Sequence, residues 1–86
     1  MFMNIFINNY LKNISVEKAI LVAKQFCIDF SYKEMNFVLP FIKVNWQNFL
    51  DVTKKPFLLQ EIANSTTKET AKKTDALLNK FLIIIS

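Results

Sequence analysis

Hydrophobic and polar positions along this chain recur with the period of a helix, most clearly in its last third. Ala71, Thr74, Leu78, Phe81 and Ile85 fall at helical spacing, with Leu77 and Leu82 widening the stripe. Lys68, Lys72, Lys73, Asn79 and Lys80 take the other side. The run Thr66-Thr67-Lys68-Glu69 reads as a capping box that opens this final helix: the threonine oxygen accepts a backbone N–H three residues on, and the glutamate reaches back. Glu69 brings negative charge to the first turn, where the helix dipole favours it, and stands four residues before Lys73, which predicts an ion pair within the helix. The apolar stripe requires a partner surface. Leu78 and Phe81 are expected to be buried against the second or third helix.

Earlier segments supply that surface. Residues 2–12 read as a first helix, with Phe2, Ile5, Phe6 and Tyr10 along one side and Asn4, Asn8 and Lys12 along another. An interfacial membrane helix would carry basic residues where these asparagines stand, so core packing is the expectation. Ser15 caps a second helix with Glu17 in its first turn. Its inward stripe is Val16, Ile20, Ala23 and Cys27, flanked by Ala19, Val22 and Phe26. Ser31-Tyr32-Lys33-Glu34 is a second capping box, followed by Met35, Val38, Leu39 and Ile42 at helical spacing. Pro40 lies inside that run; it removes a donor and crowds the preceding turn, which predicts a kink or stop near Leu39. Asn45 to Asp51 then reads as a short separate helical turn with Trp46, Phe49 and Leu50 pointing inward. Thr53 is placed to cap the next helix, with Pro56 in its first turn and Leu58, Leu59, Ile62 and Ala63 on its apolar face. Asn64 and Ser65 turn the chain into the final helix. The prediction is one all-α domain over residues 1–86, a compact bundle of about five or six short helices without a sheet.

Composition sharpens this picture mainly by exclusion. An apolar content of 52% in 86 residues suffices for one core, at a size near the lower limit of independent stability. Gly is absent, which argues against tight β-hairpins and rules out the glycine-rich phosphate loops. No apolar run is long enough to span a membrane. The start MFMNIFINNYL lacks the basic segment and small-residue cleavage site of a secretory signal, so a cytoplasmic location is expected.

Chemistry is equally constrained. The sequence has no His and one Cys, Cys27, so an internal disulfide and a Cys/His zinc site are excluded. Cys27 lies on the apolar face of the second helix, where a buried inert thiol is expected. Glu17, Glu34 and Glu69 have structural work at helix starts, and Ser15, Ser31 and Ser65 fit caps or turns without a histidine base beside them. No catalytic residue, cofactor or metal is expected, and the chain reads as a non-enzyme.

Two surfaces are left as candidates. The net charge is +4 and all eleven basic residues are Lys, which lacks the bidentate fork that phosphate and base recognition favours. A basic face of Lys68, Lys72, Lys73 and Lys80 is nevertheless available to nucleic acid. The second and third helices also admit a helix-turn-helix reading: Ala23 and Ile28 occupy packing positions of that motif. Lys33 and Asn36, however, fall where the motif requires apolar residues; a shift of two residues places Met35 and Val38 there but lengthens the turn, and the reading face then holds Tyr32, Lys33 and Asn36, without Arg. The second surface ranks first. Phe81 to Ile85 are five consecutive apolar residues, which surround the helix rather than form one face. Leu82, Ile83, Ile84 and Ile85 therefore cannot all face this core: they are a candidate interaction patch for another protein or for a second copy in a weak homodimer, the alternatives being a tail that folds back as an extended cap or frays as a chain end.

The stretch LLQEIANSTTKETAKKTDALLNKF, Leu58 to Phe81, resembles the C-terminal signature of the YqfT-like proteins of Bacillus-type bacteria, small cytosolic proteins of unknown function. Their IA..T..ETA....N.LF..F run is met by Ile62-Ala63, Thr66 (or Thr67), Glu69-Thr70-Ala71, Leu77 and Phe81. Met3-Asn4-Ile5-Phe6 and Ala23-Lys24-Gln25-Phe26 also agree, and Asn45 to Phe49 agrees loosely. Asp75 and Asn79 depart from the Asn position, and Pro40 departs from an uninterrupted helix. The resemblance implies no catalytic residues.

Overall fold

Helix starts whose partners lie within three residues of each other form where the sequence places them. Ser15 Oγ accepts the Lys18 N–H at 3.1 Å, and α2 runs over Val16–Gln25 behind it. Ser31 Oγ accepts the Glu34 N–H at 3.0 Å while the Ser31 N–H donates to Glu34 Oε1 at 2.8 Å, closing the capping box of α3, Tyr32–Phe49. In this computed structural model, which describes the backbone of residues 2–85 and the side chains of residues 8–81, these are joined by α1 (Phe2–Asn13), α4 (Lys55–Ser65) and α5 (Lys68–Ile85). The described residues contain no strand. The protein is all-α.

Two expected caps are replaced. Thr67, rather than Thr66, caps α5: its Oγ1 accepts the Thr70 N–H at 3.0 Å. The Thr66 hydroxyl instead donates to the Ile62 carbonyl at 2.6 Å and ties off the end of α4. The shift puts Thr70, not Glu69, three residues past the cap, so α5 lacks the reciprocal box. Thr53 does not cap α4. Its N–H and hydroxyl both donate to Asp51 Oδ1, at 2.9 and 2.6 Å, which closes the corner after α3. α4 then begins without a side-chain cap, with Pro56 in its first turn, where a missing N–H costs nothing.

Pro40 neither ends nor divides α3. The helix continues to Phe49 and absorbs the turn expected over Asn45 to Asp51. The energetic reason is the side on which Pro40 stands. Pro40 and Asn36, whose carbonyl loses its helical donor, are both exposed, so water can satisfy that carbonyl. A helix-interior proline costs about 3 kcal/mol. Beyond it, Ile42, Trp46 and Phe49 are buried, each stabilising by roughly 1.5–3 kcal/mol, and their sum prevails. Leu50 is the exception to the expected inward set: it becomes the C-cap of α3 and is 56% exposed.

α3 is the axis of the packing and contacts α1, α2, α4 and α5, while α4 and α5 form the most extensive pair. Its buried side chains Met35, Val38, Leu39, Ile42 and Trp46 meet Ala19 and Ala23 of α2, Ile62 of α4, and Ala71, Leu77 and Leu78 of α5 in one cluster. Leu78 is buried as expected. Phe81 is only half-buried, its ring resting on Tyr10 at 5.4 Å between centroids. Tyr10 is itself exposed; Leu11 within α1 and Ile14 just past its end enter the core instead. The buried Trp46 indole is satisfied across the bundle, Nε1 donating to Asn8 Oδ1 at 2.8 Å.

Cys27 is exposed, against the expectation of a buried thiol. It occupies the left-handed region at φ 62° and terminates α2 in a Schellman motif. The Cys27 N–H donates to the Lys24 carbonyl and the Ile28 N–H to the Ala23 carbonyl. This turn aims Cys27 outward and drives Ile28 and Phe30 into the core. The position suits glycine, which this chain does not use. Cys27→Gly should therefore stabilise the fold by about 0.5–1 kcal/mol and raise the melting temperature by roughly 2–6 °C. Cys27→Val should lower it, and a thermal melt of the two variants that orders them otherwise refutes this account.

Candidate functional site

The densest polar cluster lies where the first turns of α3 and α5 meet. Glu34 accepts the Ser31 N–H, the Thr70 hydroxyl and the Lys73 ammonium, the last at 3.0 and 3.2 Å. Thr70 is fully buried, and Lys73 Nζ also sits 5.8 Å from the centre of the Phe30 ring. Partial burial opposes the charge on Glu34, but the Ser31 N–H, the Thr70 hydroxyl and Lys73 together outweigh it and lower its pKa from 4.5 to about 2. Such a carboxylate is held ionised and saturated; it clamps two helices and is a poor proton carrier near neutrality. A second clamp joins the start of α4 to α5, where Lys55 Nζ lies 2.6 Å from Asp75 Oδ1 and donates to Asn79 Oδ1 at 3.0 Å.

This network dismantles part of the basic face. The expected Glu69–Lys73 pair is absent, because Lys73 reaches across to Glu34 instead. A surface pair within one helix contributes only about 0.2–0.5 kcal/mol, less than a charge-assisted bond to a half-buried carboxylate. Lys68 and Lys72 remain exposed, and Lys80 leans on the end of α2 by donating to the Phe26 carbonyl at 3.2 Å. Lys72 shares its hollow with Asp29 and Glu69, so the local field is of mixed sign. The α2–α3 corner does carry a left-handed residue at Cys27 and a fully buried Ala23. At the head of α3, however, Tyr32 donates to the Glu17 carboxylate at 2.9 Å, which with Glu34 places two acids where a phosphate backbone would approach.

The side chains of Leu82, Ile83, Ile84 and Ile85, the other predicted patch, lie outside the described residues. A different surface, sparsely charged, is formed by α3. Lys33, Asn36, Pro40, Val44 and Gln47 are all exposed at spacings of three and four, one stripe along the outer side of the central helix. Val44 is 82% exposed, and Leu50 continues the stripe. Past the corner, Val52 and Phe57 are also largely exposed.

Charge, more than hydrophobicity, distinguishes this face. From Met35 to Leu50 the chain has one charged residue, Lys43, and its ammonium turns inward to the Ile14 carbonyl at 3.1 Å. A helix face meant only for water normally carries Lys and Glu; depletion of charge with retained apolar and amide groups marks the centre of an interface. The signal was present in the sequence as that sparsely charged run. It was obscured by Pro40, which divided the run into two apparent elements.

Neither curated proteins nor solved structures provide a match to the chain. A family model does match, over residues 1–82, and that span includes every element that builds the outer face of α3 and the Glu34 clamp. The chain belongs to the family described as Protein of unknown function (DUF2624).

Proposed function

We propose that this protein is a non-enzymatic protein-interaction module that engages its partner through the outer face of α3. The observation that carries the reading is the uncharged, exposed stripe Asn36-Pro40-Val44-Gln47 on the helix around which the whole bundle packs. A surface mounted on the central helix is held rigidly, so binding there costs little ordering entropy. The non-enzymatic part of the reading is supported by Glu34, whose shifted carboxylate is committed to three donors. A cytoplasmic setting is supported by Cys27, an exposed thiol in a chain with no second cysteine to oxidise it against. Among the described residues, no helix is long and apolar enough to cross a membrane. The likeness of Leu58 to Phe81 to the YqfT-like proteins suggests a Bacillus-type bacterial origin.

The test compares the immobilised wild-type chain with Val44→Lys and with Leu21→Lys, a control at an exposed position on α2. A partner protein should be retained by the wild type and by Leu21→Lys and lost with Val44→Lys. Equal retention by all three sets the α3 face aside. Submicromolar binding of nucleic acid at physiological salt, falling steeply as salt rises, would favour the lysine-based alternative instead.

A further inference from the structure

We infer that the partner on the outer face of α3 is a second copy of this chain, packed antiparallel about a two-fold axis at the level of Ile42. This rests on the reading of that face as an interaction surface and gives it an occupant.

The argument is one of charge. A two-fold contact sets each surface patch against its own copy, so a patch of one sign repels itself. The chain carries a net charge of +4, and most of its lysine-bearing surface is unsuited to such a contact. The stretch from Asn36 to Gln47 is not, since its one charge is turned inward on Ile14. Its exposed polar groups are also suited to self-pairing: Asn36 and Gln47 are amides, each able to donate and to accept. Pro40 and Val44 between them are short enough to let two helices approach closely.

The ends of the stripe fix the direction. Lys33 and Asp51 stand equally far from Ile42 along the chain, as do Pro40 and Val44. Lys33 stands in the first turn of α3 and Asp51 just past its C-cap Leu50, so the two mark opposite ends of the stripe, about 27 Å apart. An antiparallel pair therefore sets Pro40 of one copy against Val44 of the other, Asn36 close to Gln47, and the exposed Lys33 opposite the half-exposed Asp51, twice over. A parallel pair would instead bring Lys33 to Lys33 and Asp51 to Asp51. Asp51 is pre-positioned for the contact, because both donors of Thr53 hold its carboxylate in place.

One helix face and its flanks bury about 1,000 Å² in total, at the lower edge of specific interfaces, so a reversible dimer is expected rather than an obligate one. Sedimentation equilibrium of the whole chain, from about 10 μM to 1 mM, should show a monomer–dimer equilibrium within that range. Val44→Lys should weaken it at least about ten-fold without lowering the melting temperature. Lys33→Glu alone and Asp51→Lys alone should each weaken it, which a parallel register does not predict because its like-charge pairs repel already, and the charge-swapped double variant Lys33→Glu/Asp51→Lys should restore the homodimer. A chain that stays monomeric throughout, a dimer indifferent to Val44→Lys or to the single charge reversals, or a double variant that does not recover each overturns the proposal. The interaction-module reading fails separately: if the chain is monomeric yet a foreign protein is lost with Val44→Lys, that reading stands and the homodimer does not.

Discussion

Leu78→Ala should destabilise the protein by about 2–5 kcal/mol, a large share of the roughly 4–13 kcal/mol available to a domain of this size. Leu78 is 4% exposed and faces Met35, Leu39 and Ile42 across the bundle. An apolar cavity of about 40 Å³ already lies beside it, between α1, α2, α3 and α5. Truncation enlarges that void, and the added volume costs roughly 24 cal/mol per Å3 beyond the lost transfer energy. Phe81→Ala removes a bigger side chain but should cost less, about 1–2 kcal/mol, because Phe81 is only partly buried and its ring rests on the exposed Tyr10 at the rim of the cavity. Urea denaturation of the two variants beside the parent decides the point. A Phe81→Ala loss exceeding that of Leu78→Ala would mean that the core closes at the far end of α5 and not at its middle.

Glu34→Gln should be the most damaging polar substitution, costing about 1–3 kcal/mol at pH 7 after allowance for partial solvent screening. The glutamine keeps the shape but has one accepting oxygen where Ser31 and Thr70 donate to two, and it turns an N–H₂ or a neutral oxygen toward Lys73. The loss should vary with pH in a defined sense. The native carboxyl titrates near 2 and the free one at 4.5, so the unfolded chain binds the proton more readily. The stabilisation is therefore complete above about pH 5 and declines as pH falls through 4.5 toward 2. Stability curves of wild type and Glu34→Gln should lie apart at neutral pH and converge near pH 2. Curves that stay parallel across that interval would show that Glu34 is not ionised by its partners in the fold. Asp51 is shifted in the same direction by Thr53, but it is unchanged in both chains and cancels from the comparison.

The sequence by itself determined most of what is settled within one turn of helix. The Ser15 and Ser31 caps, the buried stripe from Met35 to Ile42, the tolerance of Pro56 and the all-α class are decided by groups three or four residues apart, whose geometry any helix supplies. Tertiary structure decided what depends on a choice between near and distant partners. Lys73 had Glu69 one turn away and took Glu34 from another helix, because a half-buried carboxylate with two further donors binds an ammonium better than a solvated one. Thr66 and Thr67 were equivalent as caps until the end of α4 claimed one of them. Cys27 turned outward because the chain needed a left-handed residue there and had no glycine to offer. Pro40 stayed within α3 because burial of Ile42, Trp46 and Phe49 beyond it exceeds the cost of one lost hydrogen bond and its clash. The outer face of α3 follows from that last decision: two short elements would have had no common face, and only the unbroken helix aligns Asn36, Pro40, Val44 and Gln47.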